Sequence, residues 1–361
     1  MTAAVKIHPA VVTIAETEVP SVSNASPQFR TAVVLQKTTR LDWEKQKHPH
    51  KSVTQLLQHL RHRGYDVDEM LESDRKQKAA VTEILARLEE AHIITQVVTR
   101  QSLSAAVQWA DLVVSAGGDG TFLTAAAAIT DKTPVIGINT DPVGSEGHLC
   151  VGGKNPPHDL FERIVGGKFQ YTHRSRIRVT VLNRKPETRS GCILALNEVF
   201  VGEDEAAKVS TYSISIDDQP MVKQKSSGLI VSTGTGSTSW YYGMNRVEEQ
   251  SVSAILEAMH GMGIEVKGNV RELAGEIAKR MNDKITFEPS HPNFAYSIRE
   301  PIFNATFKRT CVRGFARRIR LKSKCSKGFL VLDGATKIPF NSGTEVLLEI
   351  NETDALRTVM L

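Results

Sequence analysis

The sequence contains no uncharged apolar run of about 18 residues, the length that a membrane-spanning helix needs. Its four cysteines, Cys150, Cys192, Cys311 and Cys325, include no C-x-x-C pair, which argues against a zinc ribbon. The N-terminus lacks the apolar core of a secretory signal peptide. Together these absences predict a reduced, intracellular protein with no membrane partner.

Two common nucleotide-binding motifs are also missing. The Walker A pattern G-x-x-x-x-G-K-[ST] does not occur, and Gly118-Asp-Gly120 is followed by Thr-Phe-Leu, without the third glycine of the dinucleotide-binding pattern. The net charge is +5, and after residue 150 there are 30 Lys and Arg against 23 Asp and Glu. This excess suits an anionic ligand, but it is too small to indicate nucleic acid on its own.

The first part of the 361-residue chain shows two different patterns. Residues 1–29 have no sustained hydrophobic period and are rich in Ala, Ser, Thr and Pro, which predicts a loose N-terminal tail. Residues 30–150 alternate apolar strands with helices, which predicts a Rossmann-like α/β domain whose parallel sheet is covered on both faces. The predicted strands are 31–36, 93–98, 112–115 and 134–138, and the predicted helices are 53–60, 81–88, 103–109 and 121–129.

After residue 150 the chain changes to short strands separated by turn residues. Residues 176–181 alternate polar and apolar side chains, as a half-exposed strand does. The pattern predicts a β-rich, antiparallel C-terminal domain over 151–361, interrupted by a helical stretch at 247–283. Further predicted strands are 192–201, 212–216, 229–232, 294–298, 318–324, 329–332 and 345–350.

The strongest chemical signal is the turn after the strand 112–115, which contains Gly117, Gly118, Asp119, Gly120 and Thr121. Glycines let a backbone approach a ligand closely, and a following helix N-terminus offers free N–H groups to a phosphate. An acid beside phosphates would accept a proton from a hydroxyl or hold a metal ion. The alternative is a tight turn in which Asp119 or Thr121 caps the helix.

A second signal follows the strand 229–232, where hydroxyls and glycines are dense. Such a loop suits phosphate or ribose hydroxyl groups, and an aromatic side chain behind it suits stacking on a base. The alternative is an ordinary Ser/Thr-rich turn. The residues concerned are Thr235, Gly236, Ser237, Thr238 and Trp240.

Two further signals are weaker. Asn197-Glu198 lies inside a predicted strand, where buried polar groups need partners, and a solvated face is the alternative. Residues 308–327 hold nine basic residues, which would suit a nucleic-acid surface or, as we favour, a solvated sheet face. Phe315 is the one aromatic residue there, which is poor for stacking on bases.

Taken in order, these strings resemble the NAD kinase family. The family pattern has Gly-Gly-Asp-Gly-Thr, then Asn-Glu, then Thr-Gly-Ser-Thr and a late Asp-Gly, and this chain has them at 117–121, 197–198, 235–238 and 333–334. The resemblance spans residues 31 to about 350. The strings 134–142, 145–150 and 224–228 are similar to the divergent mitochondrial-type branch of the family, which has Ser at position 227 where the commoner pattern has Asp.

The resemblance implies a NAD kinase/diacylglycerol kinase-like fold and transfer of the ATP γ-phosphoryl group to the adenosine ribose 2′-hydroxyl of NAD. Asp119 matches the proton-accepting residue. Asn197 and Glu198 would bind the ribose and nicotinamide side of NAD, and 235–240 would contact its adenosine end. Mg²⁺ would come with the ATP phosphates. The remaining predicted nucleotide-binding residues are Gly117, Gly118, Gly120, Thr121, Phe122, Asn139 and Lys225, the last as a cation near the phosphates.

The resemblance also implies a homodimer in mitochondria, with ATP and NAD as small-molecule partners and no nucleic acid. Residues 1–29 do not form an intact mitochondrial presequence, because Lys6 is their one basic side chain against Glu16 and Glu18. Without an import route the protein would be cytoplasmic. Two other functions stay open: a lipid kinase of the diacylglycerol or sphingosine type, and a non-enzymatic nucleic-acid binder acting through 308–327.

Overall fold

The computed structural model describes residues 29–183 and 193–361. Several helices begin at a capping side chain; Ser52 and Gln55, for example, form a reciprocal capping box at the start of α2. No helix in these described residues is long and apolar enough to cross a bilayer. The helices are α1 (Arg40–Lys47), α2 (Val53–His62), α3 (Val67–Glu90), α4 (Leu103–Ala106), α5 (Asp119–Ala128), α6 (Leu160–Val165), α7 (Trp240–Asn245), α8 (Glu249–Gly261) and α9 (Val270–Asn282).

The N-terminal sheet has six strands in the order β2-β1-β3-β4-β18-β5. The first five run parallel, and β5 is antiparallel to β18. Separate apolar clusters cover the two faces, which confirms the predicted α/β layering. The strands are β1 (Thr31–Gln36), β2 (Ile94–Val98), β3 (Leu112–Ala116), β4 (Val135–Ile138), β5 (Gln170–Arg174) and β18 (Leu356–Met360).

Two strands of this sheet come from beyond residue 150. β5 and β18 complete the sheet at the side of β4, although the sequence pattern places their residues in the C-terminal domain. The predicted division at residue 150 therefore marks the change of pattern and not the end of the first sheet. β5 carries the polar sequence Gln-Tyr-Thr-His-Arg, which gives no strand signal of its own.

The other described strands form two antiparallel six-stranded sheets, ordered β10-β9-β14-β17-β6-β7 and β13-β12-β11-β8-β15-β16. One apolar cluster containing residues of both sheets is their common core, which confirms the β-rich prediction. The strands are β6 (Ile177–Val181), β7 (Ile193–Ala195), β8 (Glu198–Glu203), β9 (Ser210–Ile216), β10 (Val222–Ser226), β11 (Gly228–Ser232), β12 (Phe294–Arg299), β13 (Arg313–Ala316), β14 (Arg318–Ser323), β15 (Gly328–Leu332), β16 (Thr336–Pro339) and β17 (Glu345–Ile350).

The predicted strand 192–201 is in fact two strands. β7 ends at Ala195 and β8 starts at Glu198, with a bend at Leu196 and Asn197 between them. Cys192, the first residue of the prediction, lies outside the described residues. The bend matters for the site, because it frees the backbone N–H groups of residues 196–198 from the sheet.

The helical stretch at 247–283 folds as a pair of helices, α8 and α9. Their buried contact is made by Val252 and Leu256 on α8 and by Ala274 and Ala278 on α9. The side chain of Asn282 closes the pair by bonding both the N–H and the C=O of Val247. The pair therefore has a small core of its own, as its 3.6-residue periodicity predicts.

The predicted loose tail is wrong at its last residue. Phe29 is 4% exposed, and its ring stacks on Phe169 at 5.9 Å between centroids. A lone aromatic without a periodic context gives no signal of burial, so the sequence pattern missed it. Residues 1–28 lie outside the described part of the chain, and the prediction for them stays a prediction.

Candidate active site

The glycine-rich turn joins the carboxyl end of β3 to the N-terminus of α5, the end at which open α/β sheets bind ligands. A Cβ on Gly117 would lie 2.4 Å from Oγ1 of Thr121, and one on Gly118 would lie 2.6 Å from Oγ of Ser145. A Cβ on Gly120 would meet nothing within 4 Å. A side chain at position 117 or 118 would therefore clash with neighbouring protein atoms, whereas the space beside Gly120 is empty. A phosphate could approach the N-terminus of α5 through that space.

Asp119 does not cap its own helix. Its Oδ1 accepts a hydrogen bond from the N–H of Leu149 at 2.8 Å, and Oδ2 accepts one from the N–H of His148 at 3.1 Å. Each carboxylate oxygen has a second acceptor position, so Asp119 can still receive a substrate hydroxyl. The geometry argues against the capping interpretation of Asp119 and leaves it as an acid at the edge of an open space.

The loop that carries His148 and Leu149 is held by Asn139. The Asn139 side chain donates to the carbonyls of Ser145 and Gly153 at 3.1 and 3.2 Å and accepts from the N–H of Asp141 at 3.1 Å. It is 5% exposed. Asn139 was predicted to bind nucleotide, and in this structure its amide is used to fix the loop that Asp119 also fastens.

Phe122 turns its side chain away from the predicted nucleotide site. It was predicted as part of the nucleotide site, but its side chain is 1% exposed and packs in the core between α5 and the sheet. Its N–H bonds the carbonyl of Gly118. The side chain therefore fixes the helix against the sheet below Gly137 and does not face a ligand.

The Cys150 thiol lies directly behind the same turn, with its Sγ 3.5 Å from the carbonyl oxygen of Gly117. Burial and the nearby Asp119 carboxylate raise the pKa of Cys150 to about 12. A neutral thiol therefore lies behind the turn, and it is not a nucleophile.

Asn197 and Glu198 occupy the bend between β7 and β8, and Asp333 builds that bend. The Asp333 carboxylate accepts the N–H groups of Leu196, Asn197 and Glu198 at 2.8, 2.8 and 3.1 Å. Asp333 has φ of 48°, and Gly334 after it has φ of 67°. This tight turn directs the Asp333 carboxylate towards the backbone of residues 196–198. Asp333, in the late Asp-Gly string, therefore holds the backbone of the Asn197-Glu198 pair in place through these hydrogen bonds.

The Asn197-Glu198 pair carries two buried acceptors without partners in the described residues, Oδ1 of Asn197 and Oε2 of Glu198. Burial, with the Asp333 carboxylate beside it, raises the pKa of Glu198 to about 7. Unpartnered buried acceptors are costly and are commonly explained by a bound ligand. These two atoms are therefore candidate ligand contacts.

We expect Glu198→Gln to stabilise the ligand-free protein at neutral to alkaline pH. The pKa of Glu198 is higher in the folded protein (about 7) than in the unfolded chain (about 4.5). Glu198 therefore contributes its full stabilisation below about pH 4.5, and this contribution is lost as the pH rises through about 7. The uncharged amide avoids that loss, which is worth on the order of 3 kcal/mol. Urea unfolding at about pH 8 should show the gain, and unfolding at about pH 5 should show little of it. An equal difference at both pH values would contradict this origin.

The loop 233–239 packs against the same bend. The N–H of Thr233 donates to the carbonyl of Asn197 at 2.9 Å, and a Cβ on Gly236 would lie 2.2 Å from that carbonyl oxygen. Ser237 is fully buried, where it bonds the carbonyl of Gly234 and the N–H of Phe287. The predicted loop and the predicted Asn-Glu pair are therefore in direct contact.

Trp240 begins α7 at the end of this loop. Its indole is 43% exposed and stacks on Phe200 with 4.8 Å between ring centroids. An exposed indole with one face already covered leaves the other face for a ligand or for solvent. Tyr241 beside it is buried and is not available for stacking.

A cavity of about 370 Å³ lies between the loop fastened by Asp119 and the loop of Thr235. It brings the two predicted halves of the site to one space, with His148 and Leu149 on one side and Thr235 and Thr238 on the other. Sequence reasoning missed Arg174, which also lines it. The remaining lining residues are Gly234, Thr286, Phe287, Glu288 and Pro289.

A second cavity of about 380 Å³ is lined by Gly120 and Thr124 of α5 and by Asp333 and Gly334. Lys225 lines neither cavity. Its ammonium group on β10 lies 6.0 Å from the ring centroid of Phe307. The predicted role of Lys225 beside the phosphates therefore has no support in this arrangement.

The basic strand β14 carries its cations among acids of neighbouring strands. Arg320 and Lys322 both pair with Glu345, at 2.7 and 2.8 Å, and Arg318 pairs with Glu349 at 3.6 Å. Such pairing is typical of a solvated sheet face. It favours that interpretation of 308–327 over a nucleic-acid surface.

The chain matches two domain families. The ATP-NAD kinase N-terminal domain matches residues 36–169, and the ATP-NAD kinase C-terminal domain matches residues 196–256. The first match contains the glycine-rich turn and the Asn139 loop. The second contains Asn197-Glu198 and the loop 233–239.

Curated relatives match over nearly the whole chain. The chain is 34% identical to the rat and the human "NAD kinase 2, mitochondrial". Each alignment is 381 residues long and covers 94% of this chain. The alignments cover 90% of the rat protein and 86% of the human protein.

Two solved structures share the fold. An NAD kinase from Archaeoglobus fulgidus in complex with ATP superposes with a TM-score of 0.54 at 19% identity, over 91% of this chain and 92% of that one. Yeast NADH kinase complexed with NADH superposes with a TM-score of 0.53 at 17% identity, over 93% and 84%. The arrangement of three sheets described above is therefore a known fold.

Proposed function

Since this chain belongs to the NAD kinase family, we propose that its ATP-dependent phosphorylation of NAD to NADP takes place in the cavity between the Asp119 loop and the Thr235 loop. The observation that supports this site is the position of Asp119. Its carboxylate is fastened by two backbone N–H groups of the cavity wall and keeps free acceptor positions. The glycine-rich turn beside it supplies a helix N-terminus for phosphates.

In this proposal Asp119 accepts the proton of the adenosine ribose 2′-hydroxyl as that oxygen attacks the γ-phosphorus of ATP. The bond from the γ-phosphorus to its bridging oxygen breaks, and ADP leaves with the electron pair. Phosphoryl transfer depends on positioning and on neutralising charge more than on covalent catalysis. Gly117, Gly118 and Gly120 allow the backbone approach that such positioning requires.

We propose that Mg²⁺ enters the site with ATP. The described ranges, 29–183 and 193–361, contain no cluster of three His, Cys, Asp or Glu side chains that could hold a metal ion by themselves. Mg²⁺ is usually held by substrate phosphates with few carboxylates, so the phosphates of ATP would supply most of its ligands and Asp119 would stay free to accept the proton. When bound, the ion would offset the negative charge of the phosphates.

Asn197 and Glu198 are proposed to bind NAD through their unpartnered acceptors, Oδ1 and Oε2. We expect Glu198→Gln to weaken NAD use more than ATP use, because the Asn-Glu bend lies on a different element from the phosphate turn. A lost hydrogen bond to a charged group costs about 1.5–3 kcal/mol, roughly a factor of ten to a hundred in affinity. Steady-state kinetics with each substrate varied in turn would measure the two KM values. Equal losses for both substrates would contradict the assignment.

The direct test is to incubate the purified protein with ATP, Mg²⁺ and NAD and to measure NADP with an NADP-specific dehydrogenase. Diacylglycerol and sphingosine in place of NAD test the lipid-kinase alternative, which the family membership and the Asn197-Glu198 bend argue against. NADP formation without lipid phosphorylation is the expected result. Lipid phosphorylation without NADP formation would overturn the proposal.

We also propose a mitochondrial location and a homodimer. The location rests on the similarity to relatives that carry a mitochondrial name, and the dimer rests on the family resemblance alone. Fractionation of the source cells and light scattering of the purified protein would test the two statements separately.

A further inference from the structure

Arg174 ends β5, at the edge of the N-terminal sheet, and its side chain lines the cavity between the Asp119 and Thr235 loops. Its Nη1 donates to Oγ1 of Thr235 at 3.3 Å. Thr235 is itself 5% exposed and lies in the loop that packs on Asn197. The guanidinium therefore bridges from the first sheet to the hydroxyl-rich loop of the C-terminal part.

The guanidinium has unused donors. It makes no ion pair with any described residue, and its buried Nε finds no hydrogen-bond acceptor there. Burial lowers the pKa of Arg174, and the negative charge of Asp119 acts in the opposite direction. A guanidinium has five N–H donors and stays charged, so this half-buried one, which donates to Thr235 and has a buried Nε without a described partner, is incompletely satisfied.

We propose that Arg174 binds the phosphoryl group that is being transferred and then holds it as the 2′-phosphate of NADP. This inference rests on the proposed role of Asp119, since Arg174 lines the cavity whose wall residues His148 and Leu149 hold the Asp119 carboxylate. The ligand class is a phosphate monoester on a ribose.

The charge balance of the site supports this choice. A 2′-phosphate carries close to two negative charges near neutral pH, and it forms next to the carboxylate of Asp119. Like charges at short range in a partly buried site repel strongly, so a cation is needed at that point. Among the described residues that line this cavity, Arg174 is the Arg or Lys side chain, and the charge of Asp119 acts on it, whereas Lys225 lies elsewhere.

The shape of the group fits as well. A planar guanidinium binds two phosphate oxygens through parallel N–H donors, and these charge-assisted bonds are about twice as strong as neutral ones. Nη1 is anchored on Thr235, while Nε lacks a partner. One edge of the guanidinium can therefore be positioned by the protein while the other donors meet the phosphate.

The test compares NADP with NAD, because the two ligands differ only by the 2′-phosphate. Calorimetric titration of the full-length protein would give both dissociation constants for the unchanged chain, Arg174→Met, Arg174→Lys and Arg280→Met. Arg280 is the matched control, since it lies on α9 in an exposed pair with Glu276. Melting temperatures of all variants would establish that each is folded.

We expect Arg174→Met to weaken NADP binding by about 10–100-fold and NAD binding by less than about 3-fold. Its kcat should fall by about 10²-fold, as when one donor to developing charge is removed. Arg174→Lys should recover part of the NADP affinity, because it keeps the charge but not the planar fork. Arg280→Met should leave both constants unchanged.

Equal weakening of NAD and NADP by Arg174→Met would overturn the proposal, as would a loss confined to ATP. An unchanged NADP affinity in a folded variant would overturn it too. If the unchanged protein forms no NADP from ATP and NAD, the proposed function fails, whatever the variants do. If it forms NADP and Arg174→Met binds NADP normally, only the role of Arg174 fails.

Discussion

Asp119→Asn is expected to lower kcat by about 10²–10⁴-fold, the range for loss of a general base. The substitution keeps the size of the side chain and removes its ability to accept a proton. It also replaces one carboxylate oxygen by an NH₂ group, so either His148 or Leu149 loses its acceptor. The measurement is kcat with saturating ATP and NAD, together with a melting curve.

The loop effect needs its own control, and Asn139→Ala supplies it. Asn139 holds the same loop through the carbonyls of Ser145 and Gly153, but its amide cannot act as a base. We expect its variant to lose much less kcat than Asp119→Asn and to lose stability instead. If the two variants lose kcat equally, Asp119 acts by holding the loop and not as a base.

Arg176→Met is expected to lower the free energy of unfolding by on the order of 3–5 kcal/mol. Arg176 is 2% exposed and donates to the carbonyls of Ala126 and Ile129 at 3.0 and 2.7 Å and to that of Asp354 at 2.6 Å. Two of these carbonyls end α5, where the helix leaves acceptors without partners and its dipole favours a cation. Methionine fills much of the space and leaves all three carbonyls without these hydrogen bonds.

Urea unfolding of the two proteins measures this loss. Arg163→Met is the control, because Arg163 pairs with Asp159 on the surface and such pairs contribute at most about 1 kcal/mol. A loss for Arg176→Met no larger than that of the control would show that water replaces the missing donors. Burial raises the pKa of Asp333, and the charge of Arg176 opposes that rise, so a large loss should be accompanied by a weaker hold of the Asp333 carboxylate on Asn197-Glu198.

The sequence predicted the parts of the site that are local. Gly117–Gly118 and Asp119 follow a strongly apolar strand, so their place at its carboxyl end could be derived from the strand alone. Asn197-Glu198 and the loop 233–239 were recognised as polar interruptions. Their contact with each other depends on how β8 and β11 pair, which no local pattern encodes.

The parts that were missed depend on long-range contacts. Arg174 lies in a polar strand that carries no motif. A binding role for it is suggested by its contact with Thr235, a residue 61 positions further along the chain. Asp333 was noted as a motif, but its clamp on residues 196–198 spans 135 to 137 residues of chain. Phe122 directly follows the glycine-rich turn in the sequence, but its ring lies in the core.

The position of β18 between β4 and β5 also has a consequence for how the protein is made. A ribosome delivers the N-terminal sheet first, yet one edge of β4 stays unpaired until the strand from the far end of the chain arrives. An open apolar edge strand is a template for pairing with another chain. The nascent protein must therefore carry this exposed edge while residues 139–355 are made, and a shortened chain that lacks β18 would keep it, with self-association as the result.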